Sequence, residues 1–134
     1  TTAKELALAE ADAGADVIFA AAGGSGLGVF NAAQQGTFKA IGADVNQCLI
    51  DPDHIMLSAI RKIDVVIKDG IKSAIDGTLE GGTMVPGLKE DALGITNEGS
   101  KVEIDSASLD AAQTAKDKII SGEITVPSTI DEVK

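Results

Sequence analysis

Residues 20–30 read AAAGGSGLGVF. A short apolar run, DVIF at residues 16–19, precedes this glycine cluster, and a segment with helical spacing follows it. Strand, glycine turn, helix is the local grammar of an α/β domain, and the turn is where such domains hold ligands. It fails each phosphate or catalytic template in turn. A dinucleotide fingerprint begun at Gly24 uses Gly26 but needs a third glycine where Val29 stands; Asp44 supplies the distal carboxylate without repairing that defect. A P-loop needs a lysine after the turn, and none is there. A nucleophile elbow around Ser25 needs a glycine where Leu27 stands. The only histidine, His54, comes with no orienting partner in view. Two readings stay open. The glycines serve a tight turn with positive φ, or their bare backbone faces a flat, neutral ligand that a Cβ would obstruct.

Working outward, Thr1 or Thr2 caps a helix running to about Ala13, with Gly14 as its stop. Residues 17–22 form a short continuous apolar run, as in a strand buried on both faces. Leu27, Phe30, Ala33 and Gln34 give the next helix, ending at Gly36. Residues 38–43 read as a second strand that ends on Asp44, and residues 55–59 as a third. A long helix opens at Ser58 or Ala59, with Ile60, Ile63, Ile67, Ile71 and Ile75 at helical spacing and Gly77 as its end. Residues 83–85 and 92–96 are two short strand candidates in a glycine-dense stretch. A last helix is capped by Ser106 or Ser108, and EITVP, residues 123–127, reads as a closing strand. Strands alternating with helices predict a three-layer, doubly wound parallel sheet whose strand-to-helix loops gather on one edge.

Composition sets limits. The 134 residues suit one domain. A 44% apolar content argues for a packed core, built almost wholly from aliphatic residues, since there is no Trp or Tyr and only three Phe. The net charge of −10 repels phosphate backbones, which argues against a nucleic-acid partner. The single Cys48 forms neither an internal disulfide nor a zinc cluster; it reads as a small buried apolar residue. No apolar stretch approaches the length of a membrane span.

Among polar residues, Asp44 ends a strand at the binding edge. It can accept two hydrogen bonds from a vicinal diol such as a ribose, or simply cap the loop after it. Arg61 can donate to a ligand hydroxyl, hold Asp44, or be solvated beside Lys62. Asp64 sits where a helix dipole favours an acid. Asn46 and Gln47 can contact ligand or solvent. No carboxylate pair stands out as an acid–base couple, no metal cluster is visible, and no cofactor is implied.

Four segments together, AKELALAEADAGADVIFAAAGGSGLGVFNAA, AIGADVNQ, SAIRKIDVVIKDGIKSAIDG and GGTMVPGLKEDALGI, resemble in order and spacing the basic membrane lipoprotein family, the purine nucleoside receptor type of solute-binding protein. The resemblance covers nearly the whole chain. It implies one lobe of a type I periplasmic-binding-protein-like fold, residues 1–134 being similar to the C-terminal lobe only. It further implies a nucleoside ligand, no catalysis, an ABC importer's permease as partner, and an extracytoplasmic site held to the membrane by a lipid anchor outside this stretch. Gly23, Gly24 and Ser25 are then expected to approach the base and Asp44 to bind ribose hydroxyls. Arg61 stands where the family usually has a lysine reaching the sugar, and the two are not equivalent. The alternatives are a small doubly wound nucleotide-binding or enzymatic domain using the glycine turn, and a sugar-receptor lobe. A lobe of this kind would also lack its first, central strand. Three repairs are then open: the strands of residues 17–22 and 38–43 close up, a segment such as EITVP fills in, or two chains exchange elements in a dimer.

Overall fold

The computed structural model describes residues 2–133. Helix α1 (Thr2–Asp12) leads into β1 (Val17–Phe19), a one-turn helix at Gly23–Ser25 and α2 (Gly26–Ala33). Strands β2 (Lys39–Asp44) and β3 (Ile55–Arg61) follow, then α3 (Ile63–Ile75), β4 (Leu93–Thr96) and α4 (Ser106–Ser121). The expected cap at Thr1 lies outside the described residues. The sheet order is β1-β2-β3-β4, with the first three strands parallel and β4 antiparallel to β3.

The core is one-sided. Helices α1 and α2 pack on each other and over one face of the sheet, around Ile18, Val29, Phe30, Phe38, Ala40, Cys48 and Ile55. Alanines at 7, 20, 32 and 33 are buried between these larger residues, and their small side chains let the helices approach closely. Cys48 is fully buried, as expected. The opposite face of the sheet is apolar but open, and α4 stands across a cavity from it.

The parallel order of the first three strands is as read from sequence, and the question of the gap has a definite answer. Val17 pairs with Lys39, Ile18 with Ala40 and Phe19 with Ile41. The two strands have closed up, the first of the three repairs; EITVP does not fill in. Residues 123–127 form no strand, and β1–β2 and β2–β3 pair directly with nothing between them. Residues 83–85 form no strand either.

Three further expectations need correction. Strand β1 is shorter than read and is not buried on both faces. Only Ile18 is covered, while Val17 and Phe19 lie open on the other side. The long helix starts at Ile63, not at Ser58 or Ala59, since pairing of Ser58 with Thr96 through Arg61 with Leu93 keeps those residues extended. Helix α4 is capped by Asp105, whose carboxylate accepts from the Ser108 amide at 2.8 Å, and not by Ser106 or Ser108. In α3 the helical spacing is confirmed but its apolar ridge is not covered: Ile63, Ile67, Ile71 and Ile75 are all more than half exposed. No helix among the described residues is long and apolar enough to cross a membrane.

Candidate functional site

Parallel strands deliver their ends to one edge. There β1 runs into the glycine turn, β2 ends on Asp44 and β3 ends on Arg61. These three features border one cavity of about 960 Å³, whose lining includes Phe19, Gly23, Asp44, Arg61, Lys62 and Leu93. The glycine turn and Asp44 therefore share one rim, the condition on which the sequence reading depended.

Each part of the rim has a local cause. Gly23 has φ +53°, a conformation that costs glycine little, and it starts the tight turn into α2. Gly24 has open space where a Cβ would point. Ser25 is the N-cap of α2 and makes no side-chain capping bond. Gly24 and Ser25 are exposed and adjoin the cavity's border at Gly23 without lining it. Gly26 approaches the sheet closely: a Cβ there would lie 3.3 Å from the Ala20 carbonyl oxygen.

Asp44 sits at φ +72°, an unusual region for a residue with a side chain. Its carboxylate meets the Arg61 guanidinium at 2.7 Å. Of the roles open to Arg61, holding Asp44 is the one the structure displays. The loop after Asp44 is fastened from within. The Gln47 side-chain oxygen accepts from the Ala43 amide at 2.7 Å, and the Gln47 amide donates to the buried Ser58 hydroxyl at 3.0 Å. Asn46 accepts from the Cys48 amide and donates to the Glu98 carbonyl. Asn46 and Gln47, weighed as ligand or solvent contacts, are thus spent on shaping the loop that presents Asp44.

Two features escaped the sequence reading. Lys62, read with Arg61 as a basic pair, reaches Asp91 at 2.6 Å. The second feature concerns His54, whose orienting partner is Asp51. The imidazole Nδ1 lies 2.9 and 3.0 Å from the two Asp51 oxygens, and the Gln34 amide donates to the same carboxylate at 2.8 Å. The DPDH spacing, with acid and imidazole three residues apart, was the available signal. This cluster sits at the start of β3, the edge of the sheet remote from Asp44, so it is architectural.

Asp51 is 7% exposed. Burial pushes its carboxyl up, but the hydrogen bonds from His54 and Gln34 outweigh that and leave it below its ordinary value of 3.8. A depressed acid contributes stability that is present above its unfolded value and lost as pH falls through the folded one. Asp51→Asn is therefore expected to lower stability at pH 7 by about 1–3 kcal/mol. It should also flatten the acid limb of the stability curve below about pH 4. Denaturant titrations of both proteins from pH 2 to 7 measure this; parallel acid limbs would remove Asp51 from the account.

The rim can bind a neutral hydroxylated ligand, since a carboxylate accepts and a guanidinium donates side by side. No group of three or more His, Cys, Asp or Glu that could hold a metal occurs among the described residues.

Comparison with known proteins identifies the family. The family profile described as ABC transporter substrate-binding protein PnrA-like matches residues 1–129. The chain is 41% identical over 122 residues to Basic membrane protein D of Borreliella burgdorferi (strain JD1), covering 85% of this chain and 35% of that protein. It is 33% identical to the ABC transporter nucleoside-binding protein BmpA of Lactococcus lactis subsp. cremoris (strain MG1363), covering 93% of this chain and 40% of that one. Among solved structures, an ABC transporter system solute-binding protein from Aeropyrum pernix K1 superposes with a TM-score of 0.74 at 26% identity, over 96% of this chain and 45% of that chain. The chain thus spans less than half the length of these relatives. The match of the family profile over residues 1–129, on this fold, places the chain in the PnrA-like family of ABC transporter substrate-binding proteins.

Proposed function

We propose that residues 1–134 form one lobe of a two-lobed receptor that binds a purine nucleoside and passes it to the permease of an ABC importer. The observation that carries this reading is the shared rim of the glycine turn, Asp44 and Arg61. The nucleoside's base lies against the bare backbone at Gly23 and Gly24, beside Ser25. Its ribose diol donates to Asp44 and accepts from Arg61, opening the direct contact between them. The net charge of −10 favours the neutral nucleoside over its phosphates. One relative is named for nucleoside binding, which supports the ligand class.

The lobe reading is supported by surface that this chain leaves uncovered: the open sheet face and the isoleucine ridge of α3. Contiguous apolar surface on a soluble domain marks a contact with another body. Direct pairing of β1 with β2 leaves no slot that an exchanged strand or a dimer would have to fill. Three relatives are named as lipoproteins, which supports an extracytoplasmic location with a lipid anchor on the longer protein.

Calorimetry on the longer protein carrying this chain tests the proposal. Inosine, guanosine or adenosine is expected to bind with a Kd of roughly micromolar or below, and to be recovered unchanged. Release of free base would mean an enzyme. Ribose competing as well as a nucleoside would mean a sugar receptor, the other ligand a diol grip admits.

A further inference from the structure

Asp44 and Asp91 are the two non-glycine residues with positive φ among the described residues, at +72° and +53°. Each pairs with one of two consecutive cations at the end of β3: Asp44 with Arg61 at 2.7 Å, and Asp91 with Lys62 at 2.6 Å. A side-chain-bearing residue stays in that backbone region when its surroundings over-determine it, and such residues gather at binding sites.

The second pair is built in from several directions. The Lys62 amide donates to the Ala92 carbonyl at 2.8 Å, extending the β3–β4 ladder by one position. The Lys62 stem crosses Gly94, where a Cβ would lie 3.3 Å from its Cε. The turn that delivers Asp91 is closed by the Ala92 amide donating to the Gly87 carbonyl and by the Gly87 amide donating to the Glu90 carboxylate. The hydrogen bond from Lys62 holds the Asp91 carboxyl below its ordinary value. Lys62 is also where the chain turns from β3 into α3. It occupies the N-cap position with φ −85° and ψ 71°, and no side-chain bond caps the helix there. Exposed ion pairs contribute little to stability.

We propose that Lys62 and Asp91 are positioning residues that fix the backbone at the end of β3 and so aim the Arg61 guanidinium at Asp44 across the cavity mouth. The Lys62 side chain, drawn across Gly94 to Asp91, reinforces the main-chain bond that holds the Lys62 peptide against β4, and Arg61, one residue earlier, inherits that orientation. This rests on the proposed ligand role of Asp44 and Arg61 only for its effect on affinity; the aiming itself is independent of any ligand.

The test therefore has two parts. In the first, rotation of the Arg61 guanidinium about Nε–Cζ is followed by ¹⁵N NMR in the 134-residue chain. Lys62→Met and Asp91→Gly are each expected to speed this rotation about fivefold or more, toward its rate in Asp44→Asn, while Lys62→Arg restores it. Asp91→Gly accepts the same backbone angle, so it keeps the fold if Lys62→Met does not. Unchanged rotation in both variants overturns the proposal. In the second, inosine affinity of the longer protein is expected to fall about three- to tenfold in Lys62→Met and Asp91→Gly, with the melting temperature held, and to recover in Lys62→Arg. If rotation speeds up but no form of the protein binds inosine, the aiming stands and the nucleoside reading falls. If wild type binds inosine and the variants bind it equally, the claimed effect on affinity falls and the nucleoside reading stands.

Discussion

Replacing Asp44 with glycine is expected to weaken nucleoside binding by the longer protein about 100-fold while leaving its melting temperature within about 2 °C of wild type. The affinity loss follows from the chemistry of the rim. A carboxylate receiving a diol makes charge-assisted hydrogen bonds of about 1.5–3 kcal/mol each, and glycine provides no substitute. The stability change is small because three effects oppose one another. Relief of the positive φ at residue 44 gains about 1 kcal/mol. Loss of the Arg61 pair costs about 0–1 kcal/mol, since the two side chains are 51% and 60% exposed. The added freedom of glycine in the unfolded chain costs about 0.4–1 kcal/mol. Asp44→Asn separates charge from shape. It tolerates the same backbone angle and still accepts hydrogen bonds, so its affinity should fall only about tenfold. Calorimetry with inosine and a thermal melt on each variant supply both numbers. Full affinity in the glycine variant would mean that the ligand lies elsewhere.

The edge of the sheet was legible because its signals are local. A continuous apolar run stopped by glycines, and another stopped by Asp44, are strand ends whichever way the rest of the chain goes. Parallel order then brings those ends together. What was not legible depended on distant partners. Ile60 shares a helical period with Ile63 and Ile67, yet Ile60 is held extended by Gly94, far along the chain. EITVP has the composition of a strand, but a strand needs a neighbour, and nothing in those residues says whether one is free. Phe19 looked like core because it is aromatic in an apolar run; it faces the open side of the sheet. The helical spacing of Ile63, Ile67, Ile71 and Ile75 was read correctly, while their exposure was not legible, because it depends on what packs against α3.

The same distinction separates the residues of the site. Asp44 and Arg61, which border the cavity, were singled out from their places beside element ends, and Gly23 from the resemblance carried by the glycine turn. Lys62 was seen but not understood, since its partner Asp91 lies beyond a whole helix and a glycine-dense loop. Gln47 and Ser58 were invisible as a pair: a loop amide and a strand hydroxyl meet only after β2 and β3 have formed. They bear on how Asp44 is presented, because the Gln47 side chain fastens the amide of Ala43, the residue immediately before it.

Gly42→Ala puts that arrangement under load, and it is expected to be the most destabilising single-methyl change in the strand. Gly42 is buried in the middle of β2, opposite Ser58 in the β3 register. A Cβ there would lie 2.7 Å from the Ser58 hydroxyl oxygen, 2.8 Å from the Gln47 side-chain oxygen and 2.9 Å from the Gln47 Cβ. None of these neighbours is free to yield. Ser58 is fully buried, and Gln47 is tied to the Ala43 amide. Overpacking of this kind costs about 1–3 kcal/mol, and moving Gln47 aside gives up hydrogen bonds of about 1 kcal/mol each. Against a domain stability of about 5–15 kcal/mol, a total near 3 kcal/mol is a large fraction. It should lower the melting temperature by roughly 10 °C. Gly24→Ala, where the added methyl meets open space, should leave stability within about 0.5 kcal/mol and serves as the control. Calorimetric melts of both variants decide the matter. Equal melting temperatures would show that β2 and the Gln47 loop part without cost, in which case Asp44 is not rigidly presented and the rim is assembled only around its ligand.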